Sequence, residues 1–116
     1  ANLQWTTIDE WEAMSDISLL DILVPIELIH GEVVVIDEAS YREGRGAFRM
    51  ESINLRAFAE NHLRLFGECL FNGDTFFFFP KSRKMTVFHH DGAWVNLSLT
   101  NGGQVSTQHP DCLSKC

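Results

Sequence analysis

Apolar residues recur along this chain with two different periods, and Gly67 marks the clearest boundary between them. Ahead of it, Leu55, Phe58, Ala59, His62, Leu65 and Phe66 return at the three- and four-residue spacing of a helix with one apolar face. This predicts an amphipathic helix over about 53–66, opened by Ser52 and closed by Gly67 in the left-handed conformation that glycine adopts freely. Two shorter helices are expected upstream. Thr7-Ile8-Asp9-Glu10 has the residues of a capping box, with Thr7 as N-cap and Glu10 reaching back, for a helix over Ile8–Met14 that sets Ile8 and Trp11 on one side. Ser15 or Asp16 caps a second through Leu23, with Ile17, Leu20 and Leu23 inward, before Pro25 interrupts and biases Val24 to extended geometry. Residues 26–30 fit either a helical turn ended by Gly31 or a strand.

The other period is that of strands. Glu32–Glu38 is rich in β-branched residues, which pack well on a pleated surface. Ser40–Gly46 follows as a polar hairpin tip; its glycines lack the Lys-Ser/Thr ending or the longer spacing of a phosphate-cradling loop. After Gly67, Cys69-Leu70-Phe71 and Thr75–Phe79 flank Asn72-Gly73, the pair that favours a type I′ turn. Pro80–Lys84 turns into Met85–His90, and Asp91-Gly92 turns into Ala93–Leu99, giving a four-stranded antiparallel meander ended by Asn101-Gly102-Gly103. A polar tail over 104–116 is expected to be flexible, with a short strand around 104–107. Phe76 to Phe79 are all aromatic, so that strand should be central, with helix 53–66 on one face and the N-terminal helices on the other. The expectation is one α+β domain over residues 1–116, without repeat or linker.

Composition changes this picture in one respect. Overall usage is that of an ordinary globular domain, with 45% hydrophobic and 22% charged residues. The charge is unevenly placed. Asp9, Glu10, Glu12, Asp16, Asp21, Glu27, Glu32, Asp37 and Glu38 all precede the first basic residue, Arg42, whereas the rest of the chain is slightly basic. The N-terminal third therefore carries −9 and the rest of the chain +2, for a net charge of −7. Such a field repels nucleic acid and membrane surfaces and steers basic partners inward, although a solvated helix face that serves solubility has the same composition. No apolar run approaches the ~20 residues of a membrane-spanning helix. The first residues lack the regions of a signal peptide, and three cysteines form an odd set, so a reducing cytoplasm is expected.

Residues with catalytic chemistry cluster only at His89-His90-Asp91. On a strand His89 and His90 point to opposite faces and cannot share a metal without distortion, and Asp91 is explained by its turn. His62 on the apolar stripe reads as a hydrogen-bonded, half-buried histidine rather than a ligand. His109, Cys112 and Cys116 offer three zinc donors where structural sites use four; a disulfide is the other alternative, and inert thiols are the default. No cofactor motif is present, and no cofactor is expected.

The stretch Phe76-Phe77-Phe78-Phe79-Pro80, continuing through Lys84-Met85-Thr86-Val87-Phe88-His89-His90-Asp91-Gly92-Ala93-Trp94, resembles small bacterial immunity proteins that neutralise contact-dependent or secretion-delivered toxins. The likeness covers about twenty residues and assigns no contact residue. It implies a cytoplasmic, acidic, non-enzymatic inhibitor that covers a basic toxin, often a nuclease. Charge points the same way, and aromatic anchors suit a tight interface. The candidate partner-binding residues are Glu12, Asp16 and Asp21, then Asp9, Glu10, Trp11 and Tyr41, with Trp5 beside them. The alternatives are an inhibitor from a phage or mobile element that imitates DNA, and a small metal-dependent or hydrolytic enzyme using His62, His89 and His90.

Overall fold

A computed structural model describes residues 4–42 and 44–99. The fold is α+β. Six strands, β1 (Thr6–Thr7), β2 (Glu32–Ile36), β3 (Phe48–Glu51), β4 (Thr75–Phe79), β5 (Lys84–Phe88) and β6 (Ala93–Ser98), form one antiparallel sheet. Their spatial order is β1-β6-β5-β4-β2-β3. Helices α1 (Asp16–Leu23) and α2 (Leu55–Phe66) pack against it.

Helix α2 forms where the periodicity placed it, after a 3-10 turn at Ser52–Asn54. Leu55, Ala59 and His62 are buried, while Phe58 and Phe66 are half-buried. Leu65 is exposed instead of inward, because ten residues at 100° each set it about 80° away from Leu55. Gly67 ends the helix at φ 77°, its N–H donating to the Leu63 carbonyl at 2.8 Å. In α1 the N-cap is Ser15, whose hydroxyl accepts from the Ser18 N–H at 3.1 Å. Leu19, Leu20 and Leu23 are its buried residues, and Ile17 is half-buried. Pro25 then leads into a 3-10 turn at Ile26–Leu28, which settles the ambiguous segment.

The expected capping box does not form. Thr6 and Thr7 pair with Trp94 and Ala93 as a short edge strand, and the Ile8 N–H donates to the Gly92 carbonyl at 2.9 Å. Glu10 sits in the left-handed region at φ 57°, which rules it out as the third residue of a helix. The helix expected over Ile8–Met14 shrinks to one 3-10 turn, Trp11–Ala13. Long-range pairing has overridden a local signal.

The meander likewise has three strands, β4-β5-β6, instead of four. Cys69-Leu70-Phe71 is not a strand, since the Leu70 and Phe71 N–H groups donate to the Asp16 carboxylate at 2.7 and 3.2 Å. Phe71 turns into the core, its ring 5.8 Å from Phe77 and 5.2 Å from Phe88. Gly73 has no positive φ among the described residues, so Asn72-Gly73 is not a type I′ turn. The place beside β4 is taken by β2, with Val35 opposite Phe77. The other two turns form as expected. Gly92, at φ 94°, leaves no room for a side chain: a β-carbon there would lie 2.7 Å from Trp11 Cδ1.

Strand β4 is central, but the helices do not divide its faces. Val33, Val35, Phe77, Phe79 and Phe88 share one core with Leu19, Leu20, Leu23, Leu55 and Ala59, so α1 and α2 lie on the same side. The register puts Val34, Ile36, Phe76, Phe78, Met85 and Val87 on the opposite face, where they are half-buried. The expected end of the meander at Asn101-Gly102-Gly103, and the tail with its strand around 104–107, lie outside the described residues.

Strand β2 stops at Ile36, earlier than expected, because Asp37 leaves the ladder for two other partners. Its Oδ1 accepts from the Ser40 N–H at 3.0 Å, capping the 3-10 turn Glu38–Tyr41. Its Oδ2 lies 2.8 Å from His62 Nε2, and His62 Nδ1 lies 2.7 Å from the Glu68 carbonyl. His62 is thus hydrogen-bonded as expected but wholly buried. Both ring nitrogens face acceptors, and an imidazole donates from both only when protonated. Burial works against that charge; the Asp37 hydrogen bond, the Glu68 carbonyl and the nearby carboxylates outweigh it and raise the His62 pKa above 6.5. A raised pKa means the pair contributes fully below about pH 6.5 and loses that contribution as pH rises through the folded-state value. Removing one partner leaves the other buried and unpaired, so Asp37→Ala is expected to cost about 3–5 kcal/mol in urea denaturation at mildly acidic pH. The wild type should lose stability relative to this variant as pH is raised; a constant difference between the two would contradict a protonated His62.

Candidate functional site

The carboxylates of the N-terminal third do not form one surface. Asp37 belongs to the core, and Asp16 closes the 70–71 backbone. Glu32 holds Arg49 across the β2–β3 pair at 3.1 Å, and Asp21 holds Arg56 at 3.0 Å between the two helices. Asp9, Glu10, Glu12 and Glu27 are exposed and have no ion-pair partner among the described residues. Four charges of the nine are thereby spent inside the fold, which a count along the chain does not reveal.

The candidate partner residues separate accordingly. Asp9, Glu10 and Glu12 lie on the exposed segment that follows β1. Trp11, on the same segment, is half-buried, edge-on to Phe88 at 5.0 Å, and acts as a core residue. Asp16 is likewise a structural residue. Trp5 is exposed, and Tyr41 projects from its 3-10 turn at 70% exposure. Asp21 borders a cavity.

That cavity is a cleft of about 450 Å³, within the range of ligand and anchor pockets. Leu20 and Asp21 of α1 with its C-cap Val24 form one wall, Pro25, Ile26 and Ile29 the second, and Ser52, Ile53, Leu55 and Arg56 the third. Its construction follows from the sequence. Pro25 stops α1 and sends the chain sideways, and the Ser52 N–H donates to the Gly31 carbonyl at 2.7 Å, which fixes the start of α2 beside it. The lining is mostly apolar, with the Asp21–Arg56 ion pair at its border. Ile26 is 84% exposed and Ile53 77%, a cost in water that isolated folding does not require. Ser52 is buried, and its hydroxyl has no hydrogen-bond partner among the described residues. A cleft with a mostly apolar lining and exposed aliphatic side chains on its lip is suited to take an apolar group. Ile26 and Ile53 escaped the sequence reading because each sat at an element boundary, where periodicity says nothing about exposure.

The histidines occupy two separate places. His62 is consumed in the core, while β5 ends at Phe88 and releases both His89 and His90 into the turn. Their ring centroids lie 4.2 Å apart, the planes tilted by 34°, instead of facing opposite sides, because strand alternation no longer applies. Asp74 joins them: its Oδ1 accepts from the His90 backbone N–H at 2.9 Å and lies 3.0 Å from His90 Nδ1. Its partial burial favours protonation, but the His90 hydrogen bonds and the charges of both imidazoles prevail and hold the carboxyl below the usual range. Asp91 is held low by the Ala93 N–H and His89.

No protein-family model, curated protein or solved structure was found to match this chain. Among the described residues no helix is long and apolar enough to cross a membrane. The role of Asp16 separates a structural carboxylate from a partner surface. Asp16→Ala leaves two partly buried N–H groups without an acceptor and is expected to cost about 1–3 kcal/mol, read from the urea midpoint at unchanged slope. Glu12→Gln, at an exposed position, is expected within about 0.5 kcal/mol of wild type; equal stabilities for the two variants would return Asp16 to the free surface.

Proposed function

We propose that the protein is a non-enzymatic, immunity-type inhibitor that binds and occludes a basic partner protein, a nuclease toxin being the kind of partner that its charge suits. The observation that carries this reading is the cleft at the α1–α2 junction, with Ile26 and Ile53 held out on its lip. Exposed aliphatic side chains round a preformed cavity match the anchor-and-pocket arrangement that supplies most of the energy in tight protein complexes. The carboxylates add rate and selectivity. Glu27 follows Ile26 on the same turn, and Asp9, Glu10 and Glu12 add exposed negative charge on the segment that follows β1. Long-range attraction of this kind raises association rates by ~10–10³-fold at low ionic strength.

Two features weigh against the other readings. A phosphate mimic needs a regular array of free carboxylates, and Asp16, Asp21, Glu32 and Asp37 are engaged within the fold. An enzyme centred on all three histidines needs them to converge, and His62 is bonded in the core to Asp37 while His89 and His90 gather round Asp74.

Affinity capture from lysate of the source organism, followed by co-expression of the captured protein, tests the proposal. The wild type should retain a basic protein whose toxicity it suppresses, whereas Ile26→Glu/Ile53→Glu should lose both retention and protection while unfolding at the wild-type temperature. Replacing Asp9, Glu10, Glu12 and Glu27 with their amides should slow association at low salt by about tenfold or more and flatten its salt dependence. Equal protection by the cleft variant, or a captured protein without toxicity, would overturn the reading.

A further inference from the structure

Asp74, His89 and His90 each offer a ligand atom, and these atoms all lie within 4.8 Å of one another. We propose that they form a binding site for one divalent transition-metal ion of the zinc type, clamping the segment before β4 to the β5–β6 turn. The distances decide between a hydrogen-bonded cluster and a coordination sphere in waiting. Ligands about 2.0–2.1 Å from a tetrahedral zinc ion stand roughly 3.3 Å apart. His90 Nδ1 and His89 Nε2 lie 3.0 and 4.0 Å from Asp74 Oδ1, values that bracket this separation. Shifts of less than an ångström, at side chains exposed enough to move, complete the geometry.

The surroundings of His89 point the same way. Its Nδ1 lies 3.0 Å from Asp91 Oδ1, so one ring nitrogen is turned to a carboxylate while the other faces Asp74. Metal-binding histidines are oriented in this manner, by a carboxylate on the nitrogen that does not bind the ion. That Nδ1 is buried and lacks a well-aligned hydrogen bond, which leaves Asp91 room to tighten when the ring is drawn toward an ion. Two imidazoles and one carboxylate select zinc, cobalt or nickel over magnesium and calcium, which prefer oxygen. Three protein ligands leave a position for water.

Chelator-stripped protein titrated calorimetrically with zinc, and with cobalt followed by visible absorption, tests the site. The wild type should bind one ion, with cobalt d–d bands but no thiolate charge-transfer band, and its thermal unfolding should shift upward. His89→Ala, His90→Ala and Asp74→Asn should each weaken binding by at least about tenfold, and Asp91→Asn should weaken it about tenfold from the second sphere. Because His89 and His90 lie outside the core, their variants should unfold at the wild-type temperature without metal, which keeps the test independent of Asp74→Asn folding. The tail variant His109→Ala/Cys112→Ser/Cys116→Ser should bind as wild type does. Absence of binding, undiminished binding in the histidine variants, or loss confined to the tail variant would overturn the proposal.

Discussion

The buried hydrogen-bonded pair of Asp37 and His62 is the constraint to which the arrangement of this protein is tied. It joins the end of β2 to the third turn of α2, and through the Glu68 carbonyl it also fixes the chain that leaves the helix. The same Asp37 terminates β2 and caps the following turn, so one buried carboxylate sets a strand end, a cap and a helix position. The arrangement has an energetic condition. A charge in this core persists only while its counter-charge and hydrogen bonds are complete. Glu68 extends the network outward, taking Arg42 and the Asn72 amide on its Oε1. The cleft depends on the same geometry, since its third wall is the start of α2.

Helix α2 and the β4, β5 and β6 hairpins could be read from the residues because their signals are local. Period, a terminal glycine and Asp91-Gly92 do not need a partner from elsewhere in the chain. What could not be read depends on distant contacts. Thr7-Ile8-Asp9-Glu10 has the letters of a capping box, yet pairing of Thr6 and Thr7 with β6 decides the conformation. Cys69–Phe71 has strand composition, yet the Asp16 carboxylate, more than fifty residues away, takes its N–H groups. The insertion of β2 beside β4 is likewise invisible to any window of neighbouring residues.

The site was legible to a lesser degree. The acidity of the N-terminal third is a property of composition, but which carboxylates are free is a property of packing. Asp16 and Asp37 left the surface, Asp21 and Glu32 acquired arginines, and Glu27 gained importance because its turn carries Ile26. Trp11 stood out as an aromatic anchor and proved to be a lid on Phe88 and Gly92. His89 and His90 converge for a reason set by one residue: the strand stops at Phe88, and alternation stops with it.

The docking surface proposed for a basic partner is one cleft, formed where α1 and α2 meet. Hydrogen exchange of the protein with and without its captured partner tests that claim most directly. Docking there should slow exchange over residues 20–29 and 52–56, with little change in the β5–β6 turn. Protection confined to the β5–β6 turn or the β3 edge, with the cleft exchanging as in the free protein, would contradict it.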